Sequence, residues 1–320
     1  MLRRTYPAPA PAGAPAAGLS RRPLIYRADP GGNRKTGPLG GPGKELLAPP
    51  GHGPGTGHRQ EHPAPQDQAL RSHSPGRRGG LRGGAVALSF DSQAASYDRW
   101  YATPLGHLVD RVEKEAIFAL LPDLHGRLVL EVGCGTGNIS LELARKGARL
   151  VGLDVSGPML AAAQEKARQR HVPLAWIRGE AAALPFPQDQ FDGVISILAL
   201  DFMADRLRAV GEMVRVLRPG GFLLLALLNR YSLWTLKRLL KAWSRPSLWR
   251  EVRFISPGEL QRLLLSTRNL DEISQRQAVF FPPLPVPRLL RYYPFLERLG
   301  RTLRLPCGAF LVAAARKRAF

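Results

Sequence analysis

Glu131, Gly133, Gly135, Gly137 and Asp154 are the residues of this 320-residue chain whose types and spacing could do chemistry. The first four lie in LVLEVGCGTGNIS (128–140), which reads as a short buried strand, a glycine turn and the start of a helix. Glycines at alternate positions let the backbone take φ > 0 and let a ligand approach the main chain closely. The turn opens onto a helix N-terminus, where free N–H groups and the helix dipole favour a negative group. Glu131 stands at the carboxyl end of the strand, the side on which open α/β sheets bind ligands. Asp154 closes the next strand, RLVGLD, about 20 residues past the turn, where a carboxylate can accept both hydroxyls of a ribose. Each residue also has a plain structural reading: the loop as an ordinary βα turn, the aspartate as a helix cap. A nicotinamide-binding loop would read G-x-G-x-x-G; here the third glycine comes one position early and Asn138 fills the last slot, which counts against that ligand.

The elements that must position these residues alternate. A helix over 138–146 stops at Gly147, a second strand runs over 149–154, and a helix over 156–170 carries Pro158 in its first turn. A third strand spans 174–177, with Gly179-Glu180-Ala181 at its carboxyl end, and a fourth spans 191–198. Met203, Leu207, Val210, Val214 and Leu217 mark one face of a helix that Arg218-Pro219-Gly220-Gly221 stops. The fifth strand, 222–228, is apolar throughout and so central. This alternation predicts a mostly parallel sheet covered on both faces. Ahead of it, 105–121 keeps a helical period, and Phe90, Tyr97, Trp100 and Tyr101 form an aromatic cluster that could fold over a ligand held by the glycine loop.

Four segments in fixed order, EVGCGTG (131–137), VGLDVSGPML (151–160), GEAAALPFPQDQFDGVISILAL (179–200) and RVLRPGGFLLLA (215–226), resemble the class I S-adenosylmethionine-dependent methyltransferases. The similarity runs over 88–230 and is greatest to the small-molecule type that includes the quinone-biosynthesis methyltransferases. It implies an α/β, Rossmann-like, doubly wound fold: seven strands, mostly parallel, with an antiparallel last strand and helices on both faces. Strands over 270–281 and 308–315 would form the closing hairpin edge. It implies S-adenosylmethionine as cofactor, with Gly133, Gly135, Gly137 and Asn138 around its methionine part, Glu131 near its ammonium and Asp154 on its ribose hydroxyls. It further implies Val155, Glu180, Ala181 and Ile197 among the cofactor's contacts, with Glu180 and Ala181 bordering the adenine, and Tyr97 near the cofactor; many relatives have Asp where Glu180 stands. Methyl transfer needs alignment and exclusion of water, with no metal; where a general base is needed, Tyr101 and Asp201 are candidates by position alone. Asp201 reads equally as a solvated loop residue or a helix cap.

The acceptor side is less legible. Amino-methyltransferases acting on nucleic-acid bases commonly carry an Asn/Asp-Pro-Pro-aromatic motif after the fourth strand; this chain has Ile197-Leu198-Ala199-Leu200, an apolar mouth suited to a small-molecule or lipid-like acceptor. Residues 231–250 mix tryptophans and leucines with arginines and lysines, which fits a lid, the preferred reading, or a peripheral contact with a membrane surface. The insert 280–305 would help shape the acceptor pocket. Residues 1–84 hold 14 of the 29 prolines and 17 of the 33 glycines and carry net +9 of the chain's +21. They read as a disordered tail ahead of a methyltransferase domain over 85–320, with a transit peptide or an upstream extension as alternatives. Cys134 and Cys307 make neither a metal pattern nor a disulfide framework and fit a reduced cytoplasm. The charge supports a second class, a nucleic-acid-binding protein, but much of it sits in the tail and the base-reading motif is missing. A cofactor-binding protein without catalysis stays open as a third. Oligomeric state is not readable.

Overall fold

The run 222–228 has no polar residue because both faces of its strand are covered. A computed structural model, which describes residues 90–91, 98–244, 247–267 and 269–319, places it in the middle of a seven-stranded sheet. The tail 1–84 and Tyr97 lie outside the described residues. The strands are β1 Leu128–Val132, β2 Arg149–Asp154, β3 Ala175–Arg178, β4 Phe191–Ile197, β5 Leu217–Leu228, β6 Leu270–Ala278 and β7 Phe310–Lys317. Their order is β3-β2-β1-β4-β5-β7-β6. β1 to β5 pair in parallel, whereas β7 runs antiparallel to both β5 and β6. The expected mostly parallel sheet with an antiparallel last strand is the one observed.

Successive side chains of a strand point to opposite faces, and β5 shows it. Leu223, Leu225 and Leu227 pack with Val210, Met213 and Leu260 on one face, while Phe222, Leu224 and Ala226 pack with Val109, Ile117 and Phe310 on the other. The helices that supply these layers are α1 Pro104–Phe118, α2 Asn138–Arg145, α3 Gly157–Gln169, α4 Arg206–Val216, α5 Leu233–Ser244, α6 Pro257–Ser266, α7 Pro287–Leu290 and α8 Tyr293–Thr302. Their starts follow local chemistry. Ser156 caps α3 through Met159 N–H, and Ser256 with Glu259 forms a reciprocal capping box on α6.

One boundary differs from the sequence reading. Arg218-Pro219-Gly220-Gly221, expected to turn the chain between α4 and the fifth strand, belongs to β5 itself. Leu217 pairs with Phe191, the register slips, and pairing resumes at Gly193 and Phe222, with Gly220 at φ +73° absorbing the extra residues. Gly193 is required there: a Cβ would lie 2.1 Å from the Phe222 ring.

Candidate active site

The glycine loop is built as its spacing predicts. Gly133, Gly135 and Gly137 have φ of +75°, +52° and +75°. Two of them are forced by packing: a Cβ on Gly133 would stand 2.2 Å from that of Ala199, and one on Gly137 would stand 2.8 Å from the Trp176 ring. Gly135 is different, because nothing lies within 4 Å of where its Cβ would be. The loop is therefore packed tight at both ends, against Ala199 beyond β4 and Trp176 of β3, and faces open space at its centre, which is the shape of a cradle.

Asp154 holds that cradle. Its Oδ2 accepts the Gly135 N–H at 2.8 Å and its Oδ1 the Ser156 N–H at 2.9 Å. Burial raises its pKa against the pull of these N–H groups. Each carboxylate oxygen keeps a second lone pair for a ligand hydroxyl. Glu131, one strand away, is buried and takes a hydrogen bond from Ser140 Oγ. Burial drives its pKa up to about 8, the Ser140 hydroxyl opposing and Asp154 adding to the rise. Cys134 is buried, and burial, with Glu131 and Asp154 adding to it, raises its thiol pKa well above the ordinary value.

The segment before α1 closes on this loop through groups that the sequence reading missed. Asp98 Oδ1 accepts from Thr136 Oγ1 at 2.9 Å and from Asn138 Nδ2 at 2.8 Å, and its Oδ2 pairs with Lys166 Nζ at 2.6 Å. Lys166 in turn donates to Asn138 Oδ1 at 2.8 Å. Burial would raise the Asp98 pKa, but the Lys166, Asn138 and Thr136 donors lower it on balance. Asp91 accepts from Ser156 Oγ, and the Phe90 ring meets Phe202 edge-on at 4.8 Å. The signal for Asp98 was its place in YDRWY, where the aromatic neighbours draw the eye first.

The remaining expected residues fall as follows. Val155 is 44% exposed just beyond Asp154, its carbonyl accepting from Arg178 Nε. Gly179 N–H bonds the Asp154 carbonyl, which brings the exposed Glu180 and the buried Ala181 to the same edge. Ile197 ends β4, half-buried, and Leu198 after it has φ +54°, a strained value for a non-glycine residue at a sheet end. Tyr101 is half-buried with its ring edge-on to Trp100 at 5.0 Å. Asp201 is not solvated: it is fully buried on a short 3-10 turn, Leu200–Phe202. Both its oxygens accept the Leu228 N–H at 3.2 Å, and Arg206 stands 3.8 Å away. Burial pushes its pKa to about 7, with Arg206 the main opposing charge. It is turned toward the end of β5 rather than toward the glycine loop.

Two segments leave the carboxyl edge of the sheet and meet. α5 follows β5, and the stretch 280–305 follows β6. Trp234 Nε1 donates to the Phe281 carbonyl at 2.8 Å and Lys237 Nζ to that of Pro283 at 2.6 Å. Phe281 stacks on Tyr293 at 4.7 Å, and Glu297 accepts the Val279 and Phe280 N–H groups at 3.2 and 2.8 Å. Among the described residues no helix is long and apolar enough to cross a membrane.

Comparison with known proteins agrees with this geometry. Residues 130–225 match the family model described as a methyltransferase domain. The chain is 34% identical over 199 residues to a malonyl-[acyl-carrier protein] O-methyltransferase of Pectobacterium atrosepticum, covering 62% of this chain and 73% of the relative. It is 41% identical over 95 residues to a demethylmenaquinone methyltransferase of Thermus thermophilus, covering 29% of this chain and 43% of the relative. In fold it is similar to an S-adenosylmethionine-dependent methyltransferase of Thermotoga maritima, with a TM-score of 0.54 and 24% identity over 72% of this chain and 98% of that one.

Proposed function

We infer the acceptor from one premise: the chain belongs to the class I S-adenosylmethionine-dependent methyltransferases. Its residues fit that cofactor: an open cradle at Gly135, a carboxylate at Asp154 with lone pairs to spare, and a buried acid at Glu131. Asp154 would hold the ribose hydroxyls, Glu131 the ammonium, and Glu180 with Ala181 would border the adenine. Bound there, the cofactor supplies a sulfonium methyl that is already an activated electrophile. The chain's own task is to bind and orient the acceptor and to exclude water.

The acceptor we propose is a small or lipid-like molecule with an apolar body. The supporting observation is the mouth past the end of β4, where Leu198, Phe202 and Trp249 each pack against the cluster of Leu228, Val252 and Phe254. We propose that α5 and the stretch 280–305 cover this mouth, α5 through Trp234 on its inner side. Asp201, engaged by Leu228 N–H, holds the mouth in place; Tyr101 remains the candidate base where the acceptor needs one. The relatives' names span a malonyl group on a carrier protein and a demethylated menaquinone, so they do not choose between carried and lipid acceptors.

One observation favours a membrane-surface contact in addition. The outer side of α5 exposes Leu233, Leu236, Leu240 and Trp243, the last at 86%, beside Lys237 and Lys241. Calorimetry on the full chain tests the cofactor, and transfer of label from radiolabelled cofactor to a panel of acceptors that includes lipid extracts tests the acceptor. Binding of NAD and none of S-adenosylmethionine, or label only in nucleic acid, would reject this reading.

A further inference from the structure

The cover over the mouth carries a cation that the cofactor site does not use. Arg238 lies on α5, its guanidinium carbon 4.7 Å from the Trp249 ring centroid and 5.6 Å from that of Trp234. Its Nη1 is shut off from solvent and has no hydrogen-bond partner among the described residues. Native structures leave few buried donors unpaired, and a charged one costs more than a neutral one. Arg238 Nη1 is thus a buried donor with no hydrogen-bond partner among the described residues.

Its acidic neighbours make no hydrogen bond to Nη1. Glu113 of α1 and Asp201 act on it electrostatically, but Asp201 already takes the Leu228 N–H and faces Arg206. Burial pushes the Glu113 carboxyl to about 8, against the pull of Arg238 itself, and that of Asp201 to about 7. The guanidinium lies between two aromatic walls, and Trp249, like Leu198 and Phe202, packs against the cluster of Leu228, Val252 and Phe254 at the end of β5.

We propose that Arg238 receives an anionic oxo group, a carboxylate or a phosphate, of an acceptor whose body is apolar. A planar guanidinium presents N–H groups in a fork that matches both groups. The indoles of Trp234 and Trp249 fix the plane of that fork and exclude water from it. Leu198 and Phe202 offer the apolar surface that the rest of the molecule would cover. This rests on the methyltransferase reading only in calling the ligand an acceptor; the binding itself needs no turnover.

Three eight-carbon probes decide it: octanoate, octyl phosphate and 1-octanol, titrated by calorimetry and tryptophan fluorescence into the full chain saturated with S-adenosylhomocysteine. At least one anion is expected to bind tenfold or more tighter than octanol, and the tighter of the two names the group. Arg238→Gln should bring that anion down to the octanol level while S-adenosylhomocysteine affinity stays within twofold; Arg238→Lys should retain part of the preference. Equal binding of all three probes by the unmodified chain would overturn the proposal, as would an anion preference that survives in Arg238→Gln. If that variant does not fold, the three-probe comparison on the unmodified chain and Arg238→Lys still decide. Failure to bind S-adenosylhomocysteine would count against the methyltransferase reading alone, because the same probes can be titrated without it.

Discussion

Asp154 has one observed job and one proposed one, and only the proposed one was legible in the sequence. Its place after the second strand pointed to a ribose; that it also accepts the Gly135 and Ser156 N–H groups needed the folded loop. Asp154→Ala should therefore weaken cofactor binding and also loosen the loop, since hydrogen bonds to a charged group are worth about 1.5–3 kcal/mol each. Calorimetry is expected to show at least a tenfold loss of affinity and a melt to show a lower Tm; unchanged affinity would remove the ribose assignment. Glu131 gives a pH test. With its pKa at about 8 it is mostly neutral at pH 7, so meeting an ammonium must release its proton. Cofactor affinity should rise as pH approaches about 8 and fall again as the ammonium itself loses its proton, and Glu131→Gln should flatten the rising limb. The glycine turn and the places of these two acids in and at the end of their strands could be read because their signals are local. Asp98 could not, because its partners Thr136, Asn138 and Lys166 lie at least 38 positions away in the chain.

At the scale of elements, the sequence shows α5 as one basic, tryptophan-rich stretch with two competing readings, lid or membrane contact. The folded chain divides it by face. Trp234 is buried against Phe281, while Trp243 is 86% exposed. Periodicity puts these two tryptophans on opposite faces, since nine residues is two and a half turns, but it could not say which face is buried, because the helix has apolar residues on both sides. Trp234→Ala should cost about 3–5 kcal/mol of stability, as for other buried aromatic residues. Trp243→Ser should leave stability within about 0.5 kcal/mol, as at an exposed site. Thermal melts check that pair. Vesicle flotation checks the outer face: the unmodified chain should float with anionic vesicles at low salt, be released at high salt, and lose flotation in Trp243→Ser. A chain that stays in the pellet at low salt would leave α5 as a lid only. The β5 boundary was misread for a related reason: a Pro-Gly-Gly run signals a turn locally, and only pairing of Leu217 with Phe191 shows that the strand continues through it.

For the whole molecule, the alternation of strands and helices was enough to foresee the sheet, because each parallel strand must be buried and each connection must cross a face. The buried acids were not foreseeable, since burial of a charge depends on what packs around it from distant segments. They set how stability responds to pH. Glu113 and Glu131 have ordinary values of 4.5 and folded values of about 8, and Asp201 goes from 3.8 to about 7, in each case through burial first. Between those limits the unfolded chain binds fewer protons than the folded one, so stability falls as pH rises. The penalty is absent below about pH 4, grows through neutrality and is complete above about pH 8. Asp98, Glu212 and Glu259, whose pKa values are lowered, act with the opposite sign, but their stabilisation is already in place above their ordinary values of 3.8 to 4.5. Their window does not overlap most of the range from pH 5 to 8. Tm should therefore decline over that range, and even 1 kcal/mol of accumulated cost lowers it by about 2–4 °C in a domain of about 150–250 residues. Glu113→Gln removes one of the three acids without touching the glycine loop and should make the decline shallower. Scanning calorimetry at pH 5, 6.5 and 8 on both chains checks this, and a Tm that is flat or rising across the three would show that these carboxyls ionise freely in the folded protein.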